Sequence, residues 1–194
     1  MKRVGIFGGS FNPIHCGHLA LAERLLDVAR LDELWLMVSP QNPLKRRADL
    51  LADDVRLRLA RAAVSGVSGV SVSDYELGLP KPSYTWNTLQ RLRADYPQIQ
   101  PVLVIGADNW LLFPQWYRAD DIVRSTEIVV YPRRGCDVDV QSLPSGVRLV
   151  ATPLYDVSST EVRRRVRAGE SIEGLVPPQV EQEVRELYAL TIKH

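Results

Sequence analysis

Short apolar runs alternate along the chain with longer amphipathic stretches. Apolar runs predict strands at 3–7, 33–38, 70–73, 101–105 and 127–131, with a sixth expected at 148–151. Helical spacing predicts helices at 17–30, 54–64, 85–96 and 120–124, and then at 158–167 and 178–190. This β-α-β-α order predicts an α/β fold with a doubly wound parallel sheet.

The run at 101–105 is almost continuously apolar, which is typical of a strand buried on both faces of a parallel sheet. Polar loops are expected at 39–52, 78–82 and 132–146. In doubly wound sheets, ligands bind beyond the carboxyl ends of the strands, where the strand order reverses. Residues that follow strands are therefore the first candidates for a site.

The length of 194 residues predicts one domain, 1–194, in which 153–194 forms a C-terminal helical part. Hydrophobic residues make up 45% and charged residues 24%, ordinary values for a soluble globular protein. The net charge of +1 excludes a basic nucleic-acid coat, so an anion site must use a few placed cations. No membrane span or secretory signal is evident, and two cysteines do not make a disulfide framework, so we expect a cytoplasmic protein.

The first strand runs into a glycine-rich turn and then into a histidine pair. Gly8 and Gly9 let the backbone approach a ligand and present N–H groups. His15 and His18 are three residues apart and share one face of the following helix's first turn, with Gly17 leaving room between them. Donors at a positive helix end suit a polyphosphate, and a protonated histidine would stabilise a leaving pyrophosphate.

Other interpretations of this motif remain open. The turn could be purely structural. His15, Cys16 and His18 could bind zinc, although the spacing is unlike that of zinc motifs and no fourth ligand is evident. A dinucleotide-binding dehydrogenase would need G-x-G-x-x-G after the first strand, which this turn lacks.

A second motif lies near the C-terminus. Ser158 and Glu161 form an S-x-x-E capping box that predicts the start of a helix. The hydroxyls of Ser159 and Thr160 lie at that helix's positive end, and Arg163 follows one turn later. Such a box often does no more than begin a helix, so the functional interpretation depends on its pairing with the first motif.

Together the two motifs resemble the nucleotidyltransferase superfamily with the H-x-G-H signature. His15-Cys16-Gly17-His18 matches that signature, and 157–163 matches its second signature, I-S-S-T-x-I-R, with valine for both isoleucines. Within it, the chain is most similar to the bacterial nicotinate-nucleotide adenylyltransferase family, through segments 81–89, 105–109 and 113–117. The resemblance extends from residue 5 to about 187 and implies a Rossmann-like nucleotidyltransferase fold.

The resemblance implies that ATP and nicotinate mononucleotide give deamido-NAD and pyrophosphate. Attack by one phosphate on another requires alignment and charge screening rather than a protein nucleophile, which also implies Mg²⁺ with ATP. The candidate catalytic groups are His15, His18, Lys45 and Arg163, with His18 on the α-phosphate. The expected ATP-binding groups are Gly8, Gly9, Ser10, Phe11, Ser159, Thr160 and Arg163.

On the mononucleotide side, the resemblance implies that Trp116 stacks on the pyridine ring. It also implies that backbone N–H groups near Thr85 and Tyr117 bind the nicotinate carboxylate, with Tyr84 beside them. Asp108, which follows the fourth strand, is placed to accept ribose hydroxyls. Trp86 and Trp110 are expected to be packing residues.

Two departures from the family pattern affect only fine substrate preference. Asn12 and Asn87 stand where the family often has acidic residues. Two rival functions remain: a sibling enzyme acting on another phosphate ester, such as phosphopantetheine, and a silent nucleotide-binding module on the same fold. The expected partners are the two substrates, with no nucleic acid and no membrane, and the sequence is compatible with a homo-oligomer.

Overall fold

The computed structural model of the chain describes residues 1–40 and 50–190. The strands are β1 (Lys2–Gly9), β2 (Glu33–Val38), β3 (Val70–Ser73), β4 (Ile99–Gly106), β5 (Glu127–Tyr131) and β6 (Val147–Leu149). The helices are α1 (Cys16–Val28), α2 (Asp53–Ala63), α3 (Thr85–Asp95), α4 (Ala107–Leu112), α5 (Ala119–Ser125), α6 (Ser159–Arg167) and α7 (Pro178–Leu190).

The six strands form one sheet in the order β3-β2-β1-β4-β5-β6, and every neighbouring pair is parallel. The chain builds outward from β1 to β3 on one side and then crosses back to β4 on the other side of β1. The strand order therefore reverses between β1 and β4, where the register pairs Phe7 with Val104. The predicted α/β, doubly wound parallel sheet is confirmed, in a single domain.

The core is split between the two faces of the sheet because side chains alternate along each strand. On β1, Phe7 belongs to the cluster beneath α1, α2, α6 and α7, whereas Val4 and Ile6 pack under α3. On the same face as Val4 and Ile6, a further cluster includes Leu103 of β4 and packs beneath α3, α4 and α5. Both faces of the central strands are thus covered, which explains the continuous apolar run on β4.

The predicted strands and helices lie where the structure has them, to within a few residues at their ends. The sequence analysis did not predict α4, and β6 begins and ends earlier than expected. The loop predicted at 78–82 is preceded by a 3-10 turn at Tyr75–Gly78, and another lies at Val140–Ser142. α4 and the 3-10 turn that follows it, Phe113–Gln115, are too short for a periodic pattern to detect. None of the helices in the described residues is long and apolar enough to cross a membrane.

Candidate active site

The candidate site lies at the carboxyl ends of β1, β4 and β5. Here Gly9 ends β1, and Gly106 of β4 pairs in register with Tyr131 of β5. A cleft at this edge is bordered by both histidines of the first motif, by Tyr131 and Arg133 after β5, and by the segment 153–157 before α6. The site is therefore where a doubly wound sheet is expected to bind a ligand.

The turn after β1 holds a strained residue. Phe11 has φ 43°, a left-handed value that is rare for an aromatic residue, and its side chain is buried. A Cβ on Gly9 would lie 2.9 Å from the Phe11 ring, so glycine at 9 makes room for that ring. The ring in turn contacts His18 edge-on, with centroids 5.0 Å apart. The strained turn therefore sets the position of one of the candidate catalytic histidines.

The two histidines are coupled to each other. Their rings stack with centroids 3.6 Å apart, and the backbone N–H of His15 donates to Nδ1 of His18 at 3.2 Å. Because Nδ1 of His18 accepts, the proton of the neutral ring lies on Nε2. The backbone thus selects the tautomer of His18.

His15 is buried, and this burial, together with the positive charge of Arg133, lowers its pKa to about 3. Its Nδ1 is buried and has no hydrogen-bond partner among the described residues. His15 is therefore neutral at physiological pH in the ligand-free protein. A bound phosphate would raise this pKa, because its negative charge favours the protonated ring.

Gly17 does not leave the open space that the sequence analysis expected. A Cβ at this position would lie 3.1 Å from Nδ1 of His15 and 3.3 Å from Cβ of Tyr155. The space over Gly17 is therefore already taken by protein. The glycine is needed for the close approach of Tyr155, whose hydroxyl donates to the carbonyl of Ala20 on α1.

The second motif packs directly against the first. Ser158 caps α6, and its hydroxyl accepts from the N–H of Glu161 at 3.1 Å. The hydroxyl of Ser159 donates to the carbonyl of Pro13 at 2.9 Å, and Arg163 Nη1 donates to the carbonyl of Asn12 at 2.7 Å. The two motifs, far apart in the sequence, therefore meet as predicted.

The remaining donors of this motif are only partly used. Arg163 Nη2 lies 3.4 Å from the hydroxyl of Thr160, and Arg163 Nε is buried with no partner in the described part of the chain. Within 1–40 and 50–190, no group accepts from the backbone N–H of Ser159 or Thr160. The end of α6 thus offers donors for an anion.

Two further residues, which the sequence analysis did not single out, hold the turn after β1 through hydrogen bonds. Arg56 of α2 is fully buried and donates to the carbonyl of Ser10 at 2.6 Å and to that of Leu51 at 3.0 Å. The hydroxyl of Tyr188 on α7 donates to the side-chain oxygen of Asn12, which also accepts from the N–H of Leu51. A buried arginine and a buried tyrosine carry no motif in the sequence, so only the fold reveals them.

Asp108 lies after β4, as predicted, on the first turn of α4. Its carboxylate is half-exposed and 3.6 Å from Arg133 Nε. A Cβ on Gly106 would lie 3.1 Å from that same Nε, so glycine at this position permits the pair. Asp108 is therefore held beside a cation at the mouth of the cleft.

The sequence analysis missed Arg133 and Tyr131. Arg133 Nη2 donates to the hydroxyl of Tyr131 at 3.2 Å, and its guanidinium lies over that ring. Arg134 also borders the cleft, where it pairs with Asp156. The signal was present, because Tyr131 ends a predicted strand and Arg133 and Arg134 follow it, but the two arginines were interpreted as part of a polar loop.

The predicted mononucleotide residues form an aromatic group around α3 and the segment after α4. Thr85 is the first residue of α3, and Tyr84 precedes it. The Tyr84 and Tyr117 rings lie 4.9 Å apart, and Trp116 packs on buried Phe113 with centroids 5.2 Å apart. Trp110 also stacks on Phe113, at 5.1 Å, which agrees with the packing role predicted for it.

Lys45 lies outside the described residues. Within the described residues, no group of three or more His, Cys, Asp or Glu side chains could hold a metal ion. In particular, Cys16 and the two histidines do not assemble such a site.

The chain is similar to known nucleotidyltransferases over most of its length. A sequence model of the family described as cytidylyltransferase-like matches residues 6–165. A Bacteroides fragilis protein named "Probable nicotinate-nucleotide adenylyltransferase" is 46% identical over 178 residues, 92% of this chain and 89% of the relative. A Bacteroides thetaiotaomicron protein of the same name is 44% identical, with 95% and 91% covered.

A solved structure supports the fold independently of close sequence similarity. The Plasmodium falciparum nicotinic acid mononucleotide adenylyltransferase complexed with NaAD superposes with a TM-score of 0.80 at 17% identity, covering 100% of this chain and 99% of that one. The chain thus belongs to the cytidylyltransferase-like nucleotidyltransferases and, among them, to the family of the nicotinate-nucleotide adenylyltransferases.

Proposed function

We propose that the chain transfers the AMP of ATP to nicotinate mononucleotide, giving deamido-NAD and pyrophosphate. A phosphate oxygen of the mononucleotide attacks the α-phosphorus of ATP and forms the new P–O bond. The bond from the α-phosphorus to the oxygen bridging to the β-phosphate breaks, and that oxygen leaves with pyrophosphate. The observation that carries the proposal is the contact between the two family motifs at the edge where the strand order reverses.

His18 is proposed to donate to the α-phosphate. Its neutral tautomer carries the proton on Nε2, because Nδ1 accepts from the backbone of His15. This arrangement supplies a fixed donor without any reorganisation of the ring, which is the condition for effective stabilisation of developing charge. His15 supports the His18 ring by stacking and contacts the phosphates.

The end of α6 is proposed to bind the β- and γ-phosphates. The N–H groups of Ser159 and Thr160, the Thr160 hydroxyl and the remaining donors of Arg163 converge there. A helix N-terminus favours anions through both its unused N–H groups and its dipole. The hydrogen bonds from Ser159 and Arg163 to carbonyls of the first motif hold this anion site at a fixed position relative to the histidines.

Other phosphate contacts are assigned to the turn after β1. The backbone of Gly8, Gly9, Ser10 and Phe11 is proposed to follow the nucleotide, because the turn begins at the carboxyl end of β1 and its Phe11 ring contacts His18. Lys45 is proposed as an additional cation. ATP is proposed to enter as its Mg²⁺ complex, in which the phosphates themselves hold the ion and the ion screens repulsion between the two anionic substrates.

The mononucleotide is proposed to lie between α3 and the segment after α4. Trp116 stacks on the pyridine ring, Asp108 accepts from ribose hydroxyls, and the N–H groups of Thr85 and Tyr117 bind the carboxylate, with Tyr84 at the rim. No described residue accepts a hydrogen bond from either N–H. A carboxylate accepts from both, whereas the NH₂ of an amide would oppose one of them.

The test is pyrophosphate release from ATP and Mg²⁺ in parallel reactions with nicotinate mononucleotide, nicotinamide mononucleotide and phosphopantetheine. We expect rapid release with the nicotinate form and much slower release with the amide. Release with phosphopantetheine alone would replace the proposal with the sibling activity. Release with none of the three would favour the silent nucleotide-binding module.

A further inference from the structure

Two side-chain contacts join the start of α3 to the segment between α4 and α5. The first is the Tyr84–Tyr117 ring pair, with centroids 4.9 Å apart. The second is the guanidinium of Arg118, which lies 4.7 Å from the centroid of the Trp86 ring. Each contact therefore takes one partner from each segment.

The residues that make the two contacts are next to the proposed carboxylate donors in the sequence or, for Tyr117, include the donor itself. Thr85 stands between Tyr84 and Trp86 in the sequence, and Tyr117 stands immediately before Arg118. Neither donor is fixed by a hydrogen bond to another described residue. The distance between the two N–H groups therefore depends on the side-chain contacts that join the two segments.

Arg118 is well placed to hold the two segments together. Its backbone has φ 57°, and its Nε donates to Asp121 at 2.7 Å across the first turn of α5. The guanidinium is thus held from one side by a carboxylate while its face covers Trp86. Trp86 itself packs against the cluster that contains Leu89 of α3 and Ile122 of α5, so the indole end of the contact rests on core residues. A cation over an indole is an attractive contact of useful strength.

We propose that Arg118 and Trp86 are positioning residues that hold the Thr85 and Tyr117 N–H groups at the spacing of a carboxylate, and so set the preference for the acid over the amide mononucleotide. This inference rests on the proposed function. It assigns a role to Trp86, which the sequence analysis expected only to pack, and to Arg118, which it did not single out.

The experiment compares Arg118→Gln, Trp86→Leu and the double variant with the unmodified chain. Glutamine keeps a similar side-chain stem but removes the cation from the ring. Arg124→Gln is the matched control, because Arg124 lies on the same helix, loses the same charge and pairs with the same Asp121. For each protein we measure kcat/KM for the acid and amide mononucleotides, KM for ATP, and urea unfolding without ligand.

Each single variant is expected to lower the acid-to-amide ratio of kcat/KM by about fivefold to tenfold. The double variant should be no worse than either single variant, because one contact is lost in all three. KM for ATP should stay unchanged, and Arg124→Gln should hold the ratio within about twofold of the unmodified chain.

Several results would overturn the inference. The first is an unchanged ratio in both single variants, even if their unfolding curves shift, since a packing role alone would alter stability and not discrimination. The second is additive loss in the double variant, which would show that the residues act separately. If the unmodified chain turns over neither mononucleotide, the proposed function is refuted, and this inference with it. If the unmodified chain is active but the ratio is unchanged in the variants, only this inference is refuted.

Discussion

The backbone N–H of His15 donates to Nδ1 of His18 at 3.2 Å while the two rings stack with centroids 3.6 Å apart. This relationship fixes both the ring position and the tautomer of His18. The first begins the helix and is buried, and its backbone selects the tautomer of the second. The second is then the donor proposed for the α-phosphate.

Replacing His18 should remove most of the turnover and leave the fold intact. We expect His18→Ala to lower kcat by about 10²–10³, the cost of losing one preorganised donor to developing charge. His18→Asn is the informative companion, because its side-chain oxygen can still accept from the His15 N–H. Steady-state kinetics and circular dichroism would be measured on both. Near-normal kcat in folded His18→Ala would exclude the proposed role.

Burial of His15 predicts a loss of stability in mild acid. The pKa of His15 is about 3 in the folded chain and about 6.5 when unfolded, so between these values only the unfolded state binds the proton. Lowering the pH from 7 to 5 should therefore cost about 2 kcal/mol of unfolding free energy through this residue. Urea unfolding of the unmodified chain and of His15→Asn at both pH values gives the difference, because other titrations cancel. Equal pH dependence in the two proteins would contradict the burial of a neutral His15.

Loss of the Trp116 ring should affect one substrate more than the other. Stacking on a flat ring is worth about 1–3 kcal/mol, the range known for bases on aromatic side chains. Trp116→Ala should therefore raise KM for nicotinate mononucleotide by at least about fivefold and leave KM for ATP nearly unchanged. Trp110→Ala is the control, because Trp110 also stacks on Phe113 but has no assigned ligand. Equal increases in both KM values would make Trp116 a packing residue.

Arg56 should be essential for stability although it has no assigned contact with substrate. Arg56→Met preserves most of the buried volume but removes the donors to Ser10 and Leu51 and the arginine that pairs with Asp53. We expect a loss of about 3 kcal/mol, because two hydrogen bonds from a charged donor to backbone carbonyls are lost. The measurement is urea unfolding. Arg58→Met, an exposed position on the same helix, should change stability by under about 1 kcal/mol.

The fold was predictable because its signals are periodic. The strands β2, β3 and β5 have the predicted bounds. For β2 and β5 this is because buried parallel strands leave little choice of residue type. The short helix α4 was not predictable, because six residues do not complete two turns of any pattern. Its existence depends on the packing of Ala107 and Phe113, which is a tertiary effect.

The site was predictable where it consists of local motifs. His15, His18 and Ser158 could be placed from spacing alone, because a helix start requires particular residues. Arg56 could not, since the carbonyl of Ser10 to which it donates is distant in the sequence. The place of Arg133 after a strand was visible in the sequence, but its pairing with Asp108 was not. The roles assigned to Thr85, Trp116 and Tyr117 came from the family resemblance, and they stay predictions.

The most direct test of the central claim is the fate of the ATP phosphates. ATP labelled at the α-phosphorus or at the γ-phosphorus is incubated with Mg²⁺ and nicotinate mononucleotide, and the products are separated. Adenylyl transfer predicts that the α label appears in deamido-NAD and the γ label in pyrophosphate, in equal amounts. Appearance of the γ label on the mononucleotide, or of the α label in free AMP alone, would contradict the account.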